Sequence, residues 1–384
     1  MRVLTLIDGL RMGGAETLLA PLASAARDLD IEMDIVSLSG ESTSSAKTMA
    51  LLERAGVRPR FLGLRRLLDP AALPRLAHEV RRSRCDVVHA HLEMAATLAV
   101  PLAALTGRRA VCTFHHVARP LAGRSAKRER LAVETASLGH RVLFVSEASR
   151  ESFRRRYRPG GLPANWSVVH NGIDLADYVP GEPDRTVRAE LGGGRGPVVV
   201  LPAAFRDFKG IPLAIEAWPT VLRRCPGAVL ALVGGGDLEL QLRRRVAELN
   251  LAGAVVFAGV RADMPEVYRA VDLVLLPSTH GENLPTVLIE AAGTGRAVVA
   301  SRAGGIPDIV RDGETGLLFE PGNTTALADA VLSLLLDAGP RHRMATTAVG
   351  WAHERFSART WVRNLLGIYQ DATRTGRLEA GCPR

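Results

Sequence analysis

Short apolar runs of strand length alternate with helix-period segments along almost the whole chain, and the alternation begins twice. In the first half the runs are VLTLI (3–7), EMDIVSL (32–38), DVVHA (86–90), AVCTF (110–114) and RVLFVS (141–146). Between residues 14 and 29 the apolar positions Leu18, Leu19, Leu22 and Ala26 keep helical spacing. Repeated strand–helix alternation implies a parallel sheet covered by helices on both faces. A Pro- and Gly-rich stretch, 177–197, breaks the pattern and marks a domain boundary. The alternation then resumes with VVVLPAA (198–204), AVLALVG (228–234), AVVFAG (254–259), DLVLLP (272–277) and AVVAS (297–301). At 384 residues the chain is long for one core. The expectation is two doubly wound α/β domains, 1–178 and 179–345, and a helical tail, 346–384, that frays over its last dozen residues. Doubly wound sheets bind ligands at the carboxyl ends of their strands, so the expected site is a cleft where two such ends face each other.

Composition narrows the class. No segment is long and apolar enough to span a membrane, and the opening MRVLTLIDGLRMGG reads as a strand broken by Asp8 rather than a signal peptide. Cys85, Cys112, Cys225 and Cys382 are scattered without a C-x-x-C pair, which argues against a disulfide framework or zinc site and for a reducing cytoplasm. The net charge of +9 is uneven: residues 1–180 carry +8 and the remainder +1. The basic residues are not interleaved with aromatics, which make up only 4%, so nucleic acid is not the expected partner. A membrane surface, an anionic acceptor or a plain solvated arginine face each fit the asymmetry.

Four patches carry candidate chemistry. In STHGENLPTVLIEAAGTG, Glu282 falls on a strand-to-helix turn and Glu290 in the second turn of a helix starting near 283–285, with Pro285 suited to its first turn. The amides of Asn283 and Leu284 and the helix dipole would favour an anion. Sugar, diphosphate and ribose in one ligand match that order of groups; a loop acid and a helix-surface acid are the alternative. In LPAAFRDFKG, Arg206 and Lys209 follow a strand, and lysine is rare here: three against 46 arginines. Two cations at a strand end could neutralise a diphosphate and the charge left when its bond to a sugar breaks, unless they are merely solvated. Gly13 and Gly14, in LRMGGAET, permit close approach of backbone to phosphate, but this is not the G-x-G-x-x-G fingerprint of NAD enzymes. His115 and His116 end a strand in TFHHV, where a histidine could donate to a sugar hydroxyl or a phosphate; His89 and His91 in VVHAH stand similarly. No metal-ligand spacing and no nucleophile elbow appears.

Taken together and in this order, GGAE, VVHNGID, FRDFKG, GENLPTVLIEAAGTGRAVVAS and AGGIPDIVRDGETGLLFEPGN resemble the retaining GT-B glycosyltransferases of family four, from about residue 3 to about residue 335. The resemblance implies a GT-B fold of two Rossmann-like domains facing across a cleft, with the last helix crossing back to the first. It implies hexosyl or N-acetylhexosaminyl transfer from a nucleoside-diphosphate sugar to a hydroxyl acceptor with retained configuration. No metal, cofactor or protein nucleophile is expected, the leaving phosphate serving as base. By the resemblance Glu282 contacts the donor sugar hydroxyls with the Asn283 and Leu284 amides, and Glu290 holds the ribose. Arg206 and Lys209 grip the diphosphate, Gly13 and Gly14 approach it, and His115 stands beside the transferred sugar. Asn283 departs from the glycine of many relatives, and LPAAF replaces the common VGRL. A nucleotide-sugar epimerase of the same fold and a non-catalytic sugar-nucleotide-binding protein are the rival readings. The basic segments 124–139 and 148–159 raise the further expectation of contact with anionic lipid, presenting a lipid-linked acceptor.

Overall fold

The computed structural model describes residues 1–64, 69–118, 121–194 and 196–380, with side chains as far as 374. Cys382 and the side chains of the expected frayed end fall outside that set; the final helix backbone runs to Ala380. The chain divides into two compact units, Met1–Ile173 with Ser357–Arg384, and Asp174–Phe356.

The first unit is built on β1 (Arg2–Ile7), β2 (Glu32–Ser37), β3 (Arg60–Phe61), β4 (Val87–His91), β5 (Arg109–Phe114), β6 (Arg141–Phe144) and β7 (Trp166–Val168). All pairings are parallel, in the order β3-β2-β1-β4-β5-β6-β7. The second unit carries β8 (Val198–Pro202), β9 (Val229–Val233), β10 (Val255–Gly259), β11 (Leu273–Leu276), β12 (Val298–Ser301) and β13 (Gly316–Phe319), again parallel, in the order β10-β9-β8-β11-β12-β13. Helices cover both faces of each sheet, so every residue of β4, β8 and β11 is buried; β8 and β11 read as unbroken apolar runs, while β4 carries the buried His89 and His91. In each sheet the strand order reverses once, between β1 and β4 and between β8 and β11. The loops leaving those strands diverge to opposite faces and leave a crevice at their carboxyl ends.

Three boundaries differ from the sequence expectation. The stretch 177–197 is not all loop: Arg185–Glu190 is a helix, capped by the Asp184 carboxylate, which accepts from the N–H groups of Thr186 at 2.7 Å and Val187 at 3.2 Å. The second unit begins at Asp174 because Leu175 is buried there, with Leu175 and Tyr178 closing over Gly293. At the other end the tail is two helices rather than one. Ala338–Phe356 stays with the second unit, where the Trp351 indole donates to the Ile309 carbonyl at 2.8 Å. Only Ala358–Ala380 packs against Leu19–Arg27, β4 and β5 of the first unit.

A buried polar ladder fastens that last helix. His89 sits in the middle of β4 with no exposed surface; its Nδ1 lies 2.6 Å from the Tyr369 hydroxyl and its Nε2 2.7 Å from the Thr113 hydroxyl on β5. Two residues on, His91 Nδ1 is 2.8 Å from His115 Nε2, the rings stacked at 5.1 Å, and the Asn171 amide is 3.4 Å from His115 Nδ1. Burial first, then the neighbouring imidazoles, lowers the pKa of all three histidines, His89 to about 3. They are therefore neutral in the folded chain at neutral pH. Unfolding releases them to the ordinary imidazole value of about 6.5, so the unfolded chain binds the extra protons and stability is lost as pH falls below that value. Replacing His89 by Gln should remove about one proton of this linkage, flattening the fall by ~1.4 kcal/mol per pH unit between pH 6 and 4. Urea unfolding at stepped pH reads it; parallel slopes for wild type and variant would contradict the assignment.

Candidate functional site

The expected cations and acids of the second half converge at its strand reversal. After β8 the chain passes Phe205 and the exposed Arg206 into a single 3-10 turn, Asp207–Lys209. After β11 it passes the buried Ser278 to Glu282. Lys209 Nζ lies 2.6 Å from Glu282 Oε1, and the Ser278 hydroxyl donates to the same oxygen at 2.6 Å. The Glu282 side chain is 6% exposed and that of Lys209 17%, enough shelter to strengthen the pair.

Two glycines make this approach possible. Gly210 (φ 66°) would drive a Cβ into the Pro277 carbonyl, and Gly304 (φ 54°) would drive one into the Glu282 carbonyl. The loops after β8, β11 and β12 thus meet by their backbones. The Gly304-Gly305 turn further holds Glu282 by a bond from the Gly305 N–H to its carbonyl at 3.2 Å.

Helix Thr286–Gly293 starts one residue later than expected, with Pro285 outside it as the extended N-cap residue rather than in the first turn. Proline holds Leu284 extended, so the helix cannot begin before it. The Asn283 and Leu284 amides therefore lie in the preceding turn, both residues half-buried. Glu290 does fall in the second turn, as expected, and its Oε2 accepts from the buried Tyr268 hydroxyl at 2.9 Å. Burial holds the Glu290 carboxyl above the usual range. Lys209, Glu282 and Ser278 form one cluster, and Glu290 with Tyr268 a second on the helix that follows.

The remaining expected residues belong to the first unit. Gly13 is the extended N-cap of a four-residue helix, Gly14–Thr17, and a Cβ on Gly14 would meet nothing within 4 Å. His115 lies at the end of β5 with both ring nitrogens engaged, by His91 and Asn171. His116 points elsewhere, 3.3 Å from Glu129 and 3.6 Å from Glu93. This grouping of Glu93, His116 and Glu129 joins three elements, so no sequence spacing could announce it. Glu129 is fully buried, takes the Tyr157 hydroxyl and has Arg156 Nε at 3.8 Å, so protein groups already balance its charge.

Asp8 is the residue the sequence reading passed over, taking it only as the end of a strand. It leaves β1 at the strand reversal and caps a helix 86 residues away: Met94 N–H donates to Oδ2 at 3.0 Å and Ala95 N–H to Oδ1 at 2.7 Å. Burial outweighs these bonds and raises its pKa to about 6. The helix it caps, Glu93–Thr106, is entered through Leu92 at φ 73° and ψ 178°, a conformation that costs a non-glycine residue about 1–3 kcal/mol. Asp8, Leu92 and Glu93 line a pocket of about 380 Å³.

Comparison with known proteins agrees with this layout. Residues 12–177 match the family described as Glycosyltransferase Family 4, and residues 196–337 the one described as Glycosyl transferases group 1. The chain is 35% identical over 231 residues to a GDP-mannose-dependent alpha-(1-6)-phosphatidylinositol monomannoside mannosyltransferase of Mycolicibacterium smegmatis, covering 57% of this chain and 59% of that protein. It is 28% identical over 392 residues to a D-inositol 3-phosphate glycosyltransferase of Actinosynnema mirum, covering 94% and 92%. The chain spans about half to three-fifths of the length of the first curated relatives it matches. Among solved structures, Anabaena HepE in complex with UDP superposes with a TM-score of 0.81 at 25% identity, covering 97% of this chain and all of that one. With matches on both halves and two Rossmann-like sheets of the GT-B kind, the chain belongs to the family 4, group 1 glycosyltransferases.

Proposed function

We propose that the protein transfers a hexosyl or N-acetylhexosaminyl group from a nucleoside-diphosphate sugar to a hydroxyl acceptor, with retention. The observation that carries this reading is the Lys209–Glu282–Ser278 cluster at the β8/β11 reversal. The partly exposed Lys209 and the exposed Arg206 three residues before it suit a diphosphate, and the carboxylate suits the hydroxyls of the attached sugar. In the transfer the bond from the anomeric carbon to the β-phosphate oxygen breaks, and its electron pair leaves with the nucleoside diphosphate. The acceptor oxygen bonds to the anomeric carbon on the same face, and its proton passes to the departing phosphate. Lys209 and Arg206 stabilise the charge that develops there, which is where preorganised cations act most strongly. Glu290, steadied by Tyr268, takes the ribose hydroxyls. The relatives' names, a GDP-mannose-dependent mannosyltransferase and a D-inositol 3-phosphate glycosyltransferase, and the UDP held by HepE support a donor of this class.

Lys209→Ala should lower kcat/KM for the donor roughly a hundredfold or more, and Glu282→Gln should lower it too while releasing Lys209 from its partner. Transfer and donor hydrolysis, assayed over UDP-, GDP- and ADP-sugars with product identification, read both. Turnover equal to wild type in both variants would overturn the assignment, and conversion of the donor to its epimer without acceptor would replace transfer by epimerisation.

A second reading concerns the membrane, and one observation selects between the two basic segments. On helix Glu147–Tyr157 the arginines are engaged: Arg150 with Glu147, Arg154 and Arg155 with Glu151, Arg156 with Tyr157. On helix Gly123–Ala136, Arg124, Lys127 and Arg128 are exposed beside the exposed Leu131, with Leu138 just beyond. That face pairs cations with apolar contact area, the combination that suits anionic lipid. Among the described residues no helix is long and apolar enough to cross a membrane. The Arg124→Glu/Lys127→Glu variant should lose flotation with vesicles containing anionic phosphatidylglycerol, while neutral vesicles bind neither protein; equal flotation of both proteins would count against this face.

A further inference from the structure

The buried ladder that fastens the last helix has a direction at its other end. His91 closes β4 and is buried, His115 follows β5 and is half-buried, and Asn171 is buried in the chain after β7. The Asn171 amide nitrogen can only donate, so His115 Nδ1, 3.4 Å away, turns its lone pair toward it. A neutral His115 then carries its proton on Nε2 and donates to His91 Nδ1 at 2.8 Å. His91 in turn keeps its proton on Nε2, which finds no partner among the described residues. The two contacts thus run one way, from amide to His115 to His91, and fix both tautomers.

The start of the chain of bonds is anchored. A Cβ on the neighbouring Gly172 would come within 2.3 Å of the Ser357 carbonyl oxygen, and the Ala358 N–H donates to the Ile173 carbonyl at 2.8 Å, so the backbone that carries Asn171 has no room to shift. The groups facing the two rings are His89, its ring 4.2 Å from that of His91, and His116, which is turned to Glu93 and Glu129. Neither ring is hydrogen-bonded to a carboxylate among the described residues. A histidine that exchanges protons in catalysis ordinarily has a carboxylate to stabilise its imidazolium. With both nitrogens engaged, His115 keeps none to give a ligand a proton. Resting on the transferase reading above, we propose that His91 and Asn171 are positioning residues. They hold His115 as the neutral tautomer protonated on Nε2, and transfer needs that fixed ring rather than a proton from it.

Proton–nitrogen correlation spectra of the full chain carrying isotope-labelled histidine read which ring nitrogen holds the proton, with His91→Asn and His115→Asn assigning the signals. Wild type should show Nε2 protonated in both His91 and His115. Asn171→Asp exchanges the donor for an acceptor of the same shape, so a proton should move onto His115 Nδ1. In that variant kcat should fall about tenfold or more while KM for the donor stays within about threefold. His91→Asn keeps an acceptor oxygen where Nδ1 stood and should hold both the His115 tautomer and kcat within about threefold of wild type. His91→Leu, which offers no acceptor, should lose both. A wild-type His115 protonated on Nδ1 would overturn the proposal. So would wild-type kcat in Asn171→Asp once its tautomer has changed, or equal kcat in His91→Asn and His91→Leu. Should Asn171→Asp fail to fold, the wild-type spectrum and the His91 pair still decide. If the tautomers are as stated but wild type consumes no nucleotide sugar, the tautomer assignment stands and the transferase reading fails. Normal donor turnover with His115 protonated on Nδ1 confines the failure to the positioning role.

Discussion

A single short contact, Lys209 to Glu282, ties together two loops that are 73 residues apart in sequence. It forms because the sheet of the second unit reverses strand order between β8 and β11, so the loops leaving these neighbours diverge above and below the sheet and only their first residues meet. Gly210 and Gly304 let the backbones come close enough, and Ser278 fixes the carboxylate from behind. The ammonium is costly to shelter unless paired, and its pairing to a carboxylate that keeps room for other donors makes the contact one that a diphosphate sugar could enter rather than a closed structural bridge.

The first unit repeats the device with different chemistry. At the β1/β4 reversal the charge is a carboxylate, Asp8, and its partners are helix N–H groups instead of a lysine. Beside it the neutral histidines of β4 and β5 replace ionic groups with a ladder of short hydrogen bonds that reaches Tyr369 on the last helix. Neutral imidazoles suit such a place because each can accept and donate at once without the penalty of a buried charge.

What could be read from sequence follows from how local each determinant is. The central strands were legible because burial on both faces makes them mostly apolar runs, unbroken in β8 and β11 and interrupted in β4 only by His89 and His91. β3, β7 and β13 were not: they are edge strands of two to four residues whose identity depends on a neighbour on one side only. The helix Arg185–Glu190 hid among prolines and glycines, although Asp184 before it is a capping residue and was the available signal. Lys209 and Glu282 stood out by rarity and by position after strands. Their supports did not, since Tyr268 lies 22 residues before Glu290 and Asp8 86 residues before Met94, separations that only the folded sheet closes. Pro285 misled by one position because proline suits both the N-cap and the first turn, and nothing local distinguishes them.

The most direct test is hydrogen–deuterium exchange on the full chain with and without a saturating nucleoside diphosphate. A ligand held by the loops after β8 and β11 should slow exchange of amides in 203–210 and 278–286, with a ceiling of ~2.7 kcal/mol at a hundredfold excess over Kd. Clear nucleotide binding accompanied by protection elsewhere, with those two segments unchanged, would contradict a donor site built on Lys209 and Glu282.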